Sequence, residues 1–528
     1  MALTPENGIV SANSVKVENG GGGGGGVSLV RLICVDTSGQ HRCRVIPEKR
    51  FSDVVAKNGV DLTVLIMSLR SLYDAPADES GLGSGTGVIR LMPDLSTRKR
   101  IPWLAGEEMV LADMYLGPGE PWEYCPREAL RRVSRVLKNE FDLVMNVGFE
   151  IEFLLLKKVE REGKEEWVPI DSKPYGSTLG YDAVAPLFHE IVTALHSLNI
   201  MVEQIHAEAG KGQFEIVLEY GECTKTADNL IFAHEVIRAV ARKHGLLATF
   251  VPKFAVDDIG SGSHVHVSLF QNGQNVFMAS DGSSRYGMST IGEDFMAGVL
   301  HHLPSILAFT APIPNSYDRL LPHMFAGAHQ CWGRENKEAA IRTACPAGIE
   351  LGLVSNFELK CFDGCANPYL ALAAIIAAGI DGLRKHLPLP EPVDVDPSIV
   401  ENVARLPQSL SESLEVLKKD KVMDELIGEK LLVAIKAVRK AEIDDHSKSP
   451  EASKELIHRL NQLLHLICDG TTNSTLFAES VYKADASDMK HVTFDKKSIG
   501  SSIVCPLLLD PPELNTNADS EKIQTEQS

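Results

Sequence analysis

The stretch "NVGFEIEFLLLK", Asn146 to Lys157, constrains the chain most. Read as a strand, it turns alternate side chains to opposite faces. Phe149, Ile151 and Phe153 then share one face. Glu150 and Glu152 share the other, ~6–7 Å apart along the strand. The apolar face demands burial, and burial beside a like charge would put a proton on one of the two carboxyls. A lone Glu-x-Glu strand is ordinarily just a solvated face. Something positive is expected between or beside these two if other segments bring further acids to them.

Three further segments do supply such groups. "EQIHAEAGKGQFEIVLEY" carries Glu203, Glu208 and Glu215. "GSGSHVHVSLF" puts His264 and His266 on one strand face. "SNFELKCFDGCANPYL" adds Glu358. Hard oxygen donors with an imidazole suit Mg²⁺ or Mn²⁺ better than zinc. Two such ions side by side suit phosphoryl transfer, where they neutralise phosphate oxygens. Cations follow in "NSYDRLLPHMF" (Arg319) and "CWGRENKEAAIRTACP" (Arg334, Lys337, Arg342). A guanidinium grips carboxylate or phosphate through a planar fork.

The 528 residues allow two or more domains and a large core. A net charge of −19 argues against a nucleic-acid partner held by charge. Ten scattered cysteines without zinc-like pairing read as reduced thiols of a cytoplasmic chain. No signal peptide is expected at "MALTPENGIV". The apolar run "YLALAAIIAAGIDGL" reads as a buried helix and not a membrane span.

Residues 1–26 end in seven glycines and are expected to be a disordered lead. Residues 27–119 read as short strands, opening with a hairpin around Ser38-Gly39. A helix follows from Pro126, striped by Leu130, Val133 and Leu137. Asp182 is expected to cap the next one. "ADNLIFAHEVIRAVARKHG" reads as a helix stopped at Gly245. From about Asn367 to Ile467 the pattern is mainly helical, and 469–528 read as a largely disordered tail.

Together these motifs resemble class I glutamine synthetases from about Val27 to Leu464. The resemblance rests on Gly-x-Glu-x-Glu-Phe, Glu-x-Gly-x-Gly-Gln-x-Glu, Gly-Ser-Gly-x-His-x-His-x-Ser, Asn-Ser-Tyr-x-Arg-Leu, Trp-Gly-x-x-Asn and Ala-Asn-Pro-Tyr-Leu. "NSYDRLLPHMFAGAHQCWG" with "CFDGCANPYL" is most similar to the FluG-type, plant-like branch, here without the preceding amidohydrolase domain. The resemblance implies an α+β fold. A β-grasp-like domain at 27–119 would precede a catalytic domain at 120–468 built on an antiparallel sheet with helices.

By the same resemblance, Glu152, Glu208 and Glu215 hold one Mg²⁺ or Mn²⁺, and Glu150, His264 and Glu358 the second. Glu203, His266, Ser268, Lys337 and Arg342 contact ATP. Gly260, Arg319 and Lys360 contact the acid substrate, and Glu208, Arg319 and Arg342 serve catalysis. ATP phosphorylates the side-chain carboxylate of glutamate, and an amine displaces the phosphate. Two stacked hexameric rings, with sites shared between neighbours, are the implied assembly.

Four positions depart from the family pattern. The Asp-Gly-Ser-Ser loop of the ammonium site is replaced by "VLIMSLRSLYD". The glutamate that closes over the intermediate is Phe325. The phosphate-contacting arginine is Lys337, and the arginine for the substrate's α-carboxylate is Lys360. Three readings stay open from sequence: a glutamine-forming ligase, a γ-glutamyl-amine ligase that does not use ammonia, and a non-catalytic assembly protein that keeps the fold.

Overall fold

The computed structural model describes residues 26–448, apart from 73, 84, 85, 280–283 and 285. The glycine-rich lead up to residue 25 and the expected tail lie outside the described residues. Two sheets organise the rest.

The first sheet runs β2-β1-β5-β4-β3, with β1 Leu29–Val35, β2 His41–Pro47, β3 Val60–Thr63, β4 Val88–Pro93 and β5 Glu107–Gly117. The β1–β2 hairpin turns at Gly39, whose φ of 86° is open to glycine at no steric cost. β1 lies parallel to β5, and the other pairs on this path are antiparallel. That is the β-grasp-like arrangement. Its two faces pack differently. Ile33, Val35, Met109 and Leu111 join the main core, while Val30, Leu32 and Val110 form a second one.

The second sheet runs β7-β8-β6-β9-β12-β11-β10. Its strands are β6 Val144–Arg161, β7 Val202–Ala207, β8 Gln213–Leu218, β9 Ser263–Gln271, β10 His329–Arg334, β11 Ala339–Ala344 and β12 Asn356–Leu359. All neighbours on this path are antiparallel except β10 and β11. The 18-residue β6 contains the stretch that opened the sequence argument. Phe149, Ile151 and Phe153 are fully buried in the main core with Phe214, Ile216, Val265, Val267, Phe357 and Leu359. Helices Pro126–Phe141, Cys223–Lys243, Thr290–Thr310 and Pro368–Lys385 supply apolar residues to the same core. Pro126 stands in the first turn of its helix, as its stripe predicts.

Asp182 does not cap the following helix. It ends a short helix, Thr178–Asp182, capped by Ser177; the next, Ala185–Ser197, starts from Val184 with Pro186 in its first turn. Proline's fixed φ opens the helix without a side-chain cap. The segment replacing the Asp-Gly-Ser-Ser loop forms a 3₁₀ turn, Val64–Ser68. Beyond it, Ser71 donates from its N–H (2.6 Å) and hydroxyl (2.8 Å) to Glu442, and Arg70 pairs with Asp445. This segment is therefore fastened to the helix Glu429–Lys448. Among the described residues, no helix is long and apolar enough to cross a membrane.

Candidate active site

The sheet register builds the site. Glu152 lies opposite Glu215, which lies opposite His206. One step along β6, Glu150 lies opposite His264. On the far side His266 lies opposite Glu358, and Glu358 opposite Arg342. Strand alternation puts all of these on the face turned away from the aromatic core. All but His266 line a cleft of about 470 Å³ with Tyr175, Gln204, Glu208, Gly260, Arg319, Met324, Phe325, Lys337 and Lys360.

Within the cleft the acids fall into two neighbourhoods. In the first, His206 Nε2 lies 2.8 Å from Glu208 Oε1, and its Nδ1 lies 3.8 Å from Glu215. The adjoining Glu152 is held from behind. Its Oε2 accepts from the Gly262 N–H (2.7 Å) and from Gln213 Nε2 (3.3 Å). In the second, Glu150 meets His266 Nε2 at 3.0 Å and His264 Nδ1 at 3.3 Å. Asn356 orients the other nitrogen of His266 at 2.8 Å. Glu358 meets His264 Nδ1 at 3.3 Å and Lys360 Nζ at 2.9 Å, and its second oxygen accepts from Arg342 Nε.

Charge distinguishes the two. Burial, then the neighbouring Glu150, Glu152, Glu208 and Glu358, push the Glu215 carboxyl up to about 10. Burial would raise Glu358 as well, but Lys360, His264 and Arg342 hold it down to about 2. Burial likewise opposes ionisation of Glu150, and hydrogen bonds from His264 and His266 bring it below its ordinary value. His206 is raised, first by its hydrogen bond to Glu208, against burial.

The donors fit a divalent cation. Three sets of ligand atoms lie within 4.8 Å of one another: Glu150, Glu215 and His264; Glu150, His266 and Glu358; His206, Glu208 and Glu215. Oxygen with imidazole matches Mg²⁺ or Mn²⁺. A buried carboxyl forced to keep its proton is what a missing positive charge leaves behind. Glu150, Glu208, Glu215 and Glu358 therefore converge, with Glu152 lining the same cleft and Glu203 outside it; the sets overlap instead of dividing cleanly, and His206 joins them. Its signal was the Gln204-x-His206-x-Glu208 alternation.

Other expected residues fall as follows. Arg319 is buried, donating to His264 Nε2 (3.0 Å) and the Lys360 carbonyl (2.8 Å). Gly260 and Gly262 leave it room: a Cβ on either would come within 2.6 Å of its side chain. Lys337 is exposed and lines the cleft. Ser268 is buried further along β9, outside the lining. Glu203 is exposed and also outside it, since strand alternation sets it on the face opposite Gln204 and His206, which line the cleft. Trp332, near Phe325 in sequence, is fully buried and donates to the Pro390 carbonyl.

Residues 123–456 match the family model of the glutamine synthetase catalytic domain. The γ-glutamylpolyamine synthetase GlnA3 of Streptomyces coelicolor is 35% identical over 433 residues, 80% of this chain and 91% of that one. The fluG protein of Emericella nidulans is 33% identical over 81% of this chain, which spans about half of that protein's length (48%). A solved GmaS/ADP complex superposes with a TM-score of 0.69 at 27% identity, covering 80% of this chain and 95% of that one. The chain belongs to the glutamine synthetase family of ATP-dependent ligases.

Proposed function

We propose that this ligase phosphorylates the side-chain carboxylate of glutamate with ATP and joins the resulting acyl group to an organic amine in preference to ammonia. The observation that carries the reading is the convergence of Glu150, Glu152, Glu208, Glu215, His264 and Glu358 in one cleft beside Arg319, Lys337 and Arg342. Glu152, Glu208 and Glu215 would hold one Mg²⁺ or Mn²⁺, and Glu150, His264 and Glu358 the other. The ions would neutralise phosphate oxygens during transfer. Arg342 and Lys337 would meet the phosphoryl group; Glu203, His266 and Ser268 are read toward the nucleotide on the resemblance alone, since none of the three lines the cleft. Arg319 and the Gly260 backbone hold the acid, and Glu208 lies where the attacking amine sheds its proton.

The amine choice follows from the wall of the cleft. Phe325 and Met324 line it, and Tyr175 packs edge-on to His206 at 5.6 Å. Aromatic faces above carboxylates suit an alkylammonium, through cation–π attraction and apolar burial. The polyamine-conjugating relative supports an amine larger than ammonia. The loop expected for ammonium is instead fastened to the helix Glu429–Lys448. Phosphate release from ATP with glutamate and a panel of amines tests this; ammonium outperforming every organic amine in kcat/KM would reject it.

The catalytic domain is assigned to 120–468. The assembly is read as a closed homo-oligomer, two stacked hexamers, since head-to-tail contacts close naturally into rings. The β2 edge of the first sheet, with Cys43, Arg44 and Val45 exposed, is a surface such contacts could use. Light scattering should give a mass many times 57.5 kDa; a fully active monomer would contradict it.

A further inference from the structure

We propose that Lys360 positions Glu358 and is not the group that grips the acid's distal carboxylate, which Arg319 Nη1 holds in its place. This rests on the reading of the cleft as a ligase site. Lys360 is buried, and its Nζ lies 2.9 Å from Glu358 Oε1. Arg342 holds the other oxygen of the same carboxylate. Glu358 is thus clamped between two cations. A guanidinium at position 360 could bond Glu358 with one edge and still offer another N–H to a ligand. A lysine's ammonium has no planar fork: its one nitrogen is drawn to Glu358 Oε1, and its remaining N–H donors leave from that same point and not from a second edge.

The lysine's main chain does a second job. Its carbonyl accepts from Arg319 Nη2, which also meets His264 Nε2. Arg319 is therefore fixed from one side. Its Nη1 is buried and without a hydrogen-bond partner, and the side chain lines the cleft. An orphaned buried N–H on a charged group is rare and destabilising, so its place implies an acceptor supplied by a ligand. Gly260 and Gly262 keep the space around the guanidinium free. One charge-assisted bond in place of a fork gives modest selectivity. Acids that keep the reacting carboxylate but lack the α-carboxylate, such as 4-aminobutyrate, should be disfavoured by only roughly 10–100-fold. A site built to demand the group would reject its absence by ~10⁴-fold or more.

The decisive experiment uses the full-length protein and two variants. Mn²⁺ is titrated by calorimetry into wild type and Lys360→Met, without nucleotide or acid. Removing one cation from Glu358 should tighten Mn²⁺ binding by about threefold or more. The KM for glutamate should stay within about threefold of wild type. Unchanged Mn²⁺ affinity, or a KM that rises more than tenfold, would overturn the proposal. Arg319→Met provides a check that does not depend on the first variant folding. It should bring glutamate and 4-aminobutyrate to similar kcat/KM, whereas continued discrimination above 100-fold would mean that another group reads the α-carboxylate. If wild type releases no phosphate with any acid, the ligase reading fails on its own, and the Mn²⁺ isotherm still reports on Lys360.

Discussion

Glu215 and Glu358 stand on the same face of one sheet, both buried, yet their surroundings are opposite. Around Glu215 stand other carboxylates, and its carboxyl is pushed up to about 10. Around Glu358 stand Lys360, Arg342 and His264, and its carboxyl is held at about 2. The β7–β8 half of the cleft is incomplete without added positive charge. The β12–β11 half already neutralises itself. Burial alone explains neither: the same desolvation acts on both, and the neighbours decide.

The largest expected effect breaks the first half. Glu215→Gln should lower Mg²⁺-dependent ATP turnover by about 10³-fold, close to 4 kcal/mol in the barrier, because it removes one of the carboxylates proposed to hold a metal. The same change should raise the melting temperature of the chelator-treated protein at pH 8, since it removes a charge from a crowded set. A variant both active and less stable would remove the distinction between the halves. Glu358→Gln should do the reverse to the fold. It strands the buried Lys360 and the half-buried Arg342, at a loss of roughly 3–5 kcal/mol, readable as a fall in denaturant midpoint.

pH separates the halves by sign. In metal-free protein, folded Glu215 keeps a proton that the unfolded chain releases above its ordinary 4.5. Stability contributed there falls as pH rises between about 4.5 and about 10. Glu358 behaves oppositely. Its contribution is full above 4.5 and is lost as pH falls toward about 2. Chelator-treated protein should therefore lose stability from pH 5 to 9, by at most about 1.4 kcal/mol per unit for one proton. Millimolar Mg²⁺ or Glu215→Gln should flatten that slope. A slope that survives both would have its origin elsewhere.

Much of this was legible in the sequence, for a physical reason. Strand alternation is a strict period of two, so Glu150/Glu152 and His264/His266 each declare a shared face from the sequence. What sequence could not carry was register and partnership. Pairing opposite Glu215 brings His206 into the cleft, and alternation then leaves Glu203 on the other face. Lys360 reads as a substrate contact by position, but only its distance to Glu358 reveals the clamp. Asp182 carries a fair capping signal, and the neighbouring Pro186 overrides it.

Phe325 gives the smallest and most selective test, because it alters the cleft wall without touching any of the candidate metal-holding residues. The residue is 53% exposed with φ of 53° and lines the cleft beside Met324. Replacing it with glutamate leaves the backbone burden unchanged, since both residues carry a Cβ in the left-handed region. The new carboxylate extends the negative set toward the amine and removes apolar surface from the same wall. Ammonium, small and strongly hydrated, gains an anionic partner; an alkylamine loses a hydrophobic one. Phe325→Glu should thus raise kcat/KM for ammonium about tenfold, near 1.4 kcal/mol in the barrier, and lower it for hydrophobic amines by a similar factor. If both amine classes move together, Phe325 only packs the loop, and the preference for an organic amine must come from Tyr175 and His206 on the opposite approach to Glu208.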